Sequence, residues 1–96
     1  MIVEYHPATV SELNAGVNFY NRRRAGLGDD FRTEVYAAIS RIEKNPLMFP
    51  EVHGVRRVLL KRFPYSVIFR LVDSHVARIL VIRHHRRRPG YEMKRR

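Results

Sequence analysis

Apolar residues recur along this chain at two different periods, three to four residues apart through the first half and two apart through much of the second. Ile2-Val3-Glu4-Tyr5 is a short β-prone run stopped by Pro7. Thr9-Val10-Ser11-Glu12 then has the spacing of a capping box, so a helix is expected to open there. Val10, Leu13, Val17 and Tyr20 form an apolar stripe that runs out near Asn21-Arg22-Arg23-Arg24 and Gly26, which predicts a helix over about 9–24. Gly28-Asp29-Asp30 offers a second N-terminal cap, and Phe31, Val35, Ala38, Ile39 and Ile42 line one face until Asn45-Pro46 ends the pattern. An antiparallel helical hairpin over about 9–45 follows from this pattern.

The stretch from Pro46 to Gly54 is bounded by prolines and glycine, which marks a structured connector whose apolar residues are expected to pack on the core. Beyond it lie three β-rich runs, roughly 55–61, 64–72 and 76–84, the last two joined by a tight turn at Asp73-Ser74-His75. In the middle run Tyr65, Val67, Phe69 and Leu71 share one face and Ser66, Ile68, Arg70 and Val72 the other, the pattern of a sheet covered on one side. The expected class is α+β. An N-terminal strand and the two-helix hairpin precede a three-stranded antiparallel meander over about 55–85 in one sheet, and a short basic tail, 86–96, closes a single domain of residues 1–96. At 96 residues and 45% hydrophobic content the chain has material for one modest core. It contains no internal repeat or low-complexity tract.

Charge changes this picture because it is segregated. Residues 1–55 carry six basic and seven acidic side chains, a net of −1, whereas residues 56–96 carry thirteen and two, a net of +11, together making the formal +10. One half of the sequence therefore creates the positive field, and an anionic partner is expected, either nucleic acid or an acidic protein. The absence of cysteine excludes a disulfide framework, a thiolate nucleophile and a Cys-type zinc site. The histidines at 6, 53, 75, 84 and 85 have no ligand spacing, and no Gly-rich phosphate loop, nucleophile elbow or zinc motif occurs, so neither metal nor cofactor is expected. The N-terminus lacks the basic and apolar regions of a signal peptide, and no apolar run approaches membrane-spanning length, which makes the cytoplasm the expected compartment.

The candidate chemistry concentrates in Arg83-His84-His85-Arg86-Arg87-Arg88-Pro89-Gly90-Tyr91, directly after the run Val76 to Ile82. Metal-independent RNA cleavage needs a base for the 2′-hydroxyl, cations for the charge that develops on phosphorus, and an acid for the leaving oxygen. His84 or His85 can serve as base or acid, Arg86, Arg87 and Arg88 can hold phosphate, and Tyr91 can stack on a base. Adjacent strand residues point to opposite faces, however, so both histidines cannot readily serve one site. Tyr65 and Phe69, at alternate strand positions, read as core, and Arg22-Arg23-Arg24 as cations meeting the negative end of a helix dipole.

Two strings, in this order behind a β-α-α start, resemble the RelE/ParE superfamily of toxins from type II toxin–antitoxin modules. They are Lys61-Arg62-Phe63-Pro64-Tyr65-Ser66-Val67-Ile68-Phe69-Arg70 and Val81-Ile82-Arg83-His84 followed by Arg87, Pro89 and Tyr91, and the resemblance extends over essentially the whole chain. It implies a small sheet flanked by a helical hairpin, and a toxin assembled with and neutralised by an acidic antitoxin. The superfamily holds two mechanistic classes: one cleaves messenger RNA at the ribosome, the other poisons DNA gyrase without being a nuclease. Ribonucleolytic members commonly place an arginine where this chain has Ser66, and lysine near the sheet is limited here to Lys61. Local spelling is closer to the ParE branch, which implies a gyrase-directed inhibitor. The alternatives are a ribosome-dependent RNA endonuclease or a non-toxic nucleic-acid-binding module. As an endonuclease the chain would use His84, Arg87 and Tyr91. The residues expected to bind target or antitoxin are Arg56, Arg57, Lys61, Arg62, Arg70, Arg83, His85, Arg86 and Arg88.

Overall fold

The computed structural model describes residues 1–87, 90, 94 and 95. Strand β1 (Ile2–Tyr5) leads into helices α1 (Ala8–Arg23) and α2 (Leu27–Lys44), then a 3-10 turn (Pro46–Met48) and strands β2 (Arg56–Leu59), β3 (Tyr65–Leu71) and β4 (Val76–His84). The strands form one sheet in the order β1-β4-β3-β2. β2, β3 and β4 are the expected antiparallel meander, while β1 lies parallel to β4, Ile2 opposite Val76 and Tyr5 opposite Ile79. The sheet is therefore mixed. The long connection that a parallel pair requires runs through both helices and then β2 and β3.

The second helix buries the face its periodicity predicts, with Phe31, Val35, Ala38 and Ile42 fully enclosed. Gly26, with φ at 87°, occupies its cap, so Asp29 and Asp30 fall in the first turn, where carboxylates favourably meet the helix dipole. The first helix differs from expectation in phase and in cap. It buries Thr9, Gly16, Val17 and Tyr20, leaving Val10 61% exposed. Its start at Ala8 has no capping box: the Thr9 hydroxyl donates to the His6 carbonyl at 2.7 Å, His6 Nδ1 accepts the Ala8 N–H, and Glu12 reaches away to the sheet. The helices pack closely at Gly28, whose N–H donates to Asn21 Oδ1 at 2.7 Å.

Between helices and sheet lies an aromatic cluster of Tyr20, Phe31, Phe63 and Tyr65, continuous with Val67, Phe69, Ile79 and Ile82. The connector contributes less than expected. Only Phe49 packs inward, edge-on to Phe69, while Leu47, Met48 and Val52 are exposed. The tight 3-10 turn directs Leu47 and Met48 outward, and Arg56 donates to the Phe49 carbonyl at 2.6 Å, fixing the connector by a polar contact.

Two irregularities of β4 position the functional surface. The register slips between Ile68 and Phe69, which pair with Val81 and Ile79, so Leu80 is an extra residue in β4. Beyond Tyr5, moreover, the Leu80–His84 edge of β4 has no strand neighbour among the described residues. Side chains occupy it instead. Glu12 Oε1 accepts the Ile82 N–H at 3.0 Å, and Arg95 donates both to the Leu80 carbonyl at 3.0 Å and to Glu12 Oε2 at 2.8 Å.

Candidate functional site

Strand alternation assigns each candidate side chain to one face of the sheet. Tyr65, Val67, Phe69, Ala77, Ile79 and Ile82 face the helices. The open face carries Arg57 on β2, Ser66, Ile68 and Arg70 on β3, Arg78, Val81 and Arg83 on β4, and Glu4 on β1. In register, Arg57 stands opposite Ile68 and Ile68 opposite Val81; Ser66 stands opposite Arg83, and Arg70 opposite Arg78. Four arginines thus surround a small apolar floor. Glu4 is the only acidic residue in the four strands, and it accepts from Arg78 Nε at 2.6 Å.

The arginines are graded in exposure: Arg57 is open to solvent, Arg70 and Arg78 are half-buried, and Arg83 is 8% exposed. Two like charges directly opposite each other, as at Arg70 and Arg78, destabilise a sheet, and an almost enclosed guanidinium costs solvation.

The two histidines part company at the end of β4. His85 turns to the open face, where its Nε2 lies 3.0 Å from the hydroxyl of Ser66, itself completely buried. His84 turns to the helical face and meets Tyr65 edge-on, with ring centroids 5.0 Å apart. Its Nδ1 accepts the Arg86 N–H at 3.0 Å, and the Arg87 N–H donates to its carbonyl. Burial first, then the charges of Arg86, His85 and Arg87, hold the His84 imidazole below its ordinary pKa. Across the ring contact, burial raises the Tyr65 phenol, with Tyr20 adding to the effect and Arg87 opposing it. His84 is therefore neutral, with its proton on Nε2 and its acceptor nitrogen committed to the backbone. Such a ring shapes the turn after β4 and has no lone pair left to abstract a proton.

The residues singled out from sequence thus divide. Arg57, Arg70, Arg83 and His85 share the open face. Arg56 is engaged with Phe49 and Glu51. Arg62 pairs with Asp30 at 3.3 Å, and the backbone amides of Lys61 and Arg62 donate to Glu34 Oε1. Arg86 and Arg87 are exposed in the turn after His84. Arg88 and Tyr91 lie outside the described residues. Arg78 was not among the expected residues, although a lone arginine in the apolar run Val76-Ala77-Arg78-Ile79 is itself a signal of an outward strand position. Among the described residues no three His, Asp or Glu side chains converge as metal ligands, and no helix is long and apolar enough to cross a membrane.

Residues 3–89 match the family described as ParE toxin of type II toxin-antitoxin system, parDE. A solved structure, described as the chromosomal ParDE TA system from P. aeruginosa, is similar with a TM-score of 0.75 and 21% sequence identity, over 88% of this chain and 95% of that one. At that identity the likeness shows a common fold. Comparison with curated proteins gave no match.

Proposed function

The chain belongs to the ParE toxin family of type II toxin–antitoxin systems, and on that premise we propose that residues 1–96 act as one cytoplasmic unit that arrests growth by inhibiting DNA gyrase and does not cut RNA. The state of His84 is the observation that carries this choice of target. Metal-independent cleavage of RNA needs a base and an acid. Arginine keeps its proton at every accessible pH, so Arg57, Arg70, Arg78 and Arg83 bind anions without exchanging protons. His84 has spent its acceptor on Arg86 and points away from those arginines. His85 alone brings an imidazole to the open face, with its Nε2 bound to Ser66. This arrangement supports a binding surface over a nuclease centre.

The net charge of +11 over residues 56–96 supports an acidic antitoxin that neutralises this half in a hetero-oligomer. The chromosomal ParDE system is in accord with such a partnership. Pulse-labelling of DNA and protein synthesis, within minutes of inducing the chain without an antitoxin, tests the target. DNA synthesis is expected to fall while translation initially continues, and His84→Asn is expected to arrest growth as the parent does. Immediate arrest of translation, abolished by His84→Asn, would overturn the proposal in favour of RNA cleavage at the ribosome.

A further inference from the structure

The arginines of the open sheet face also suggest what this surface meets once the toxin reaches its target, an inference that rests on the gyrase reading. We propose that Arg57, Arg70 and Arg78 bind the phosphate backbone of duplex DNA, so that the toxin holds the gyrase–DNA complex partly by its DNA.

Three observations favour this ligand. First, the surface is cationic by construction: the strands contain one carboxylate, Glu4, which already accepts from Arg78. Arg70 and Arg78 stand directly opposite each other in register, so one phosphate laid across the pair can accept from both. Second, the face carries no strand aromatic. Tyr65 and Phe69 lie on the helical side, and Tyr5, opposite Ile79, shares it. Single-stranded nucleic acid is held by stacking its bases on aromatic rings, and these strands offer none there, so contact with a stacked duplex through its phosphates fits better. Third, the apolar floor is already closed, with Ile68 2% and Val81 0% exposed. A disordered acidic peptide that folds on binding needs apolar anchors to offset its ordering, and the exposed ones on this face, Ile2, Leu59 and Val72, lie scattered at its margins. Phosphates need only the guanidinium groups. Such contacts carry no base readout, which predicts binding indifferent to DNA sequence.

The test measures binding of the full chain to two fluorescent duplexes of unrelated sequence over a fourfold range of salt. Each phosphate contact contributes a slope of about −0.9 in log K against log salt, so three contacts lower affinity about 40-fold over that range. Arg57→Gln, Arg70→Gln and Arg78→Gln are each expected to flatten the slope by about 0.9 and to weaken both duplexes equally. Arg32→Gln, on α2 beside Asp29, should leave the slope unchanged. Unchanged far-UV circular dichroism keeps a lost slope from being lost folding. Because Arg57 is exposed on an edge strand, Arg57→Gln decides the matter should the half-buried variants misfold. A wild-type slope in Arg57→Gln overturns the proposal. So does a result in which the variants lose binding to an acidic polyglutamate peptide and keep their DNA slopes, which would make the face a peptide site. Inhibition of purified gyrase is read separately: variants that inhibit as the parent does also overturn the proposal while the gyrase reading stands. A parent chain that binds duplex as expected and leaves gyrase active overturns the gyrase reading instead.

Discussion

Replacing Glu34 on α2 should loosen the turn between β2 and β3 more than any loss of a surface ion pair would. Glu34 Oε1 accepts two backbone amides, from Lys61 at 2.6 Å and from Arg62 at 2.8 Å. The same carboxylate lies 4.0 Å from the Arg62 guanidinium, and its side chain is 16% exposed. Hydrogen bonds to charged groups contribute about 1.5–3 kcal/mol each, and water reaches part of this turn, so two of them near the low end give about 2–3 kcal/mol for Glu34→Ala. Glu34→Gln keeps a carbonyl acceptor and loses only the charge, for about 1 kcal/mol. Arg62→Ala removes exposed ion pairs and costs less than about 1 kcal/mol.

The chain has no tryptophan, so urea unfolding is best followed by circular dichroism at 222 nm, and the ordering Glu34→Ala, Glu34→Gln, Arg62→Ala is the prediction. In thermal melts about 2–3 kcal/mol corresponds to a fall of roughly 8–20 °C in Tm for a domain of this size. If Arg62→Ala costs as much as Glu34→Ala, the turn is held by the ion pair and the reasoning fails. A Glu34→Ala variant within about 0.5 kcal/mol of the parent refutes it as well.

Gly28→Ala places a Cβ 2.1 Å from the Val17 carbonyl oxygen and 2.7 Å from Asn21 Cγ, so the helices must separate; a loss of about 2–4 kcal/mol in chemical denaturation is expected. His84 should titrate by NMR below its ordinary 6.5. Because its folded pKa lies below the unfolded one, the unfolded chain takes up the proton first. Stability therefore declines as pH falls from 6.5 towards the folded value and levels off below it, with no contribution above 6.5. Both the parent and His84→Asn retain the other histidines, so their difference in unfolding free energy should change with pH below 6.5; a difference that stays constant with pH would contradict this. Glu12→Ala removes the acceptor of the Ile82 N–H, and hydrogen exchange at that amide should accelerate about tenfold or more.

The parts of the fold legible in the sequence are those that depend on local period. The stripe from Phe31 to Ile42 states which side chains are buried, and the structure buries them; the alternation of β3 assigns the faces, yet Ser66 and Ile68 on the open face are buried as completely as Val67 and Phe69. Long-range polar capture is a different matter. Glu12 on Ile82 spans seventy residues and Glu34 on Lys61 twenty-seven, and nothing in the neighbourhood of either glutamate distinguishes it from a solvated helical charge. In α1 this went further, since Glu12 completes a capping-box spacing with Thr9 that the fold does not use. The sheet edge left open by the short β1 is a stronger claim on that carboxylate than the helix's own amides. The placement of β1 beside β4 was equally hidden, because a four-residue strand pairs as well with either edge of a meander until the crossover fixes it.

The division of the candidate site turns on a single residue. Counting alternation from Ile79, which faces the helices, an unbroken β4 would send Val81, Arg83 and His85 to the helical side and His84 to the open face. Leu80 is extra in the register, and everything after it changes sides. Arg83 is thereby delivered opposite Ser66 on the arginine face, His85 follows it, and Ile82 fills the core. His84 is turned against Tyr65, where burial and the Arg86 N–H keep it neutral and occupied. Alternation alone puts the adjacent histidines on opposite sides of the sheet; the bulge decides which is which, placing His85 with the arginines and His84 against Tyr65. With or without the bulge only one imidazole of the pair reaches the arginine face, and the bulge makes it His85, whose Nε2 lies 3.0 Å from the Ser66 hydroxyl.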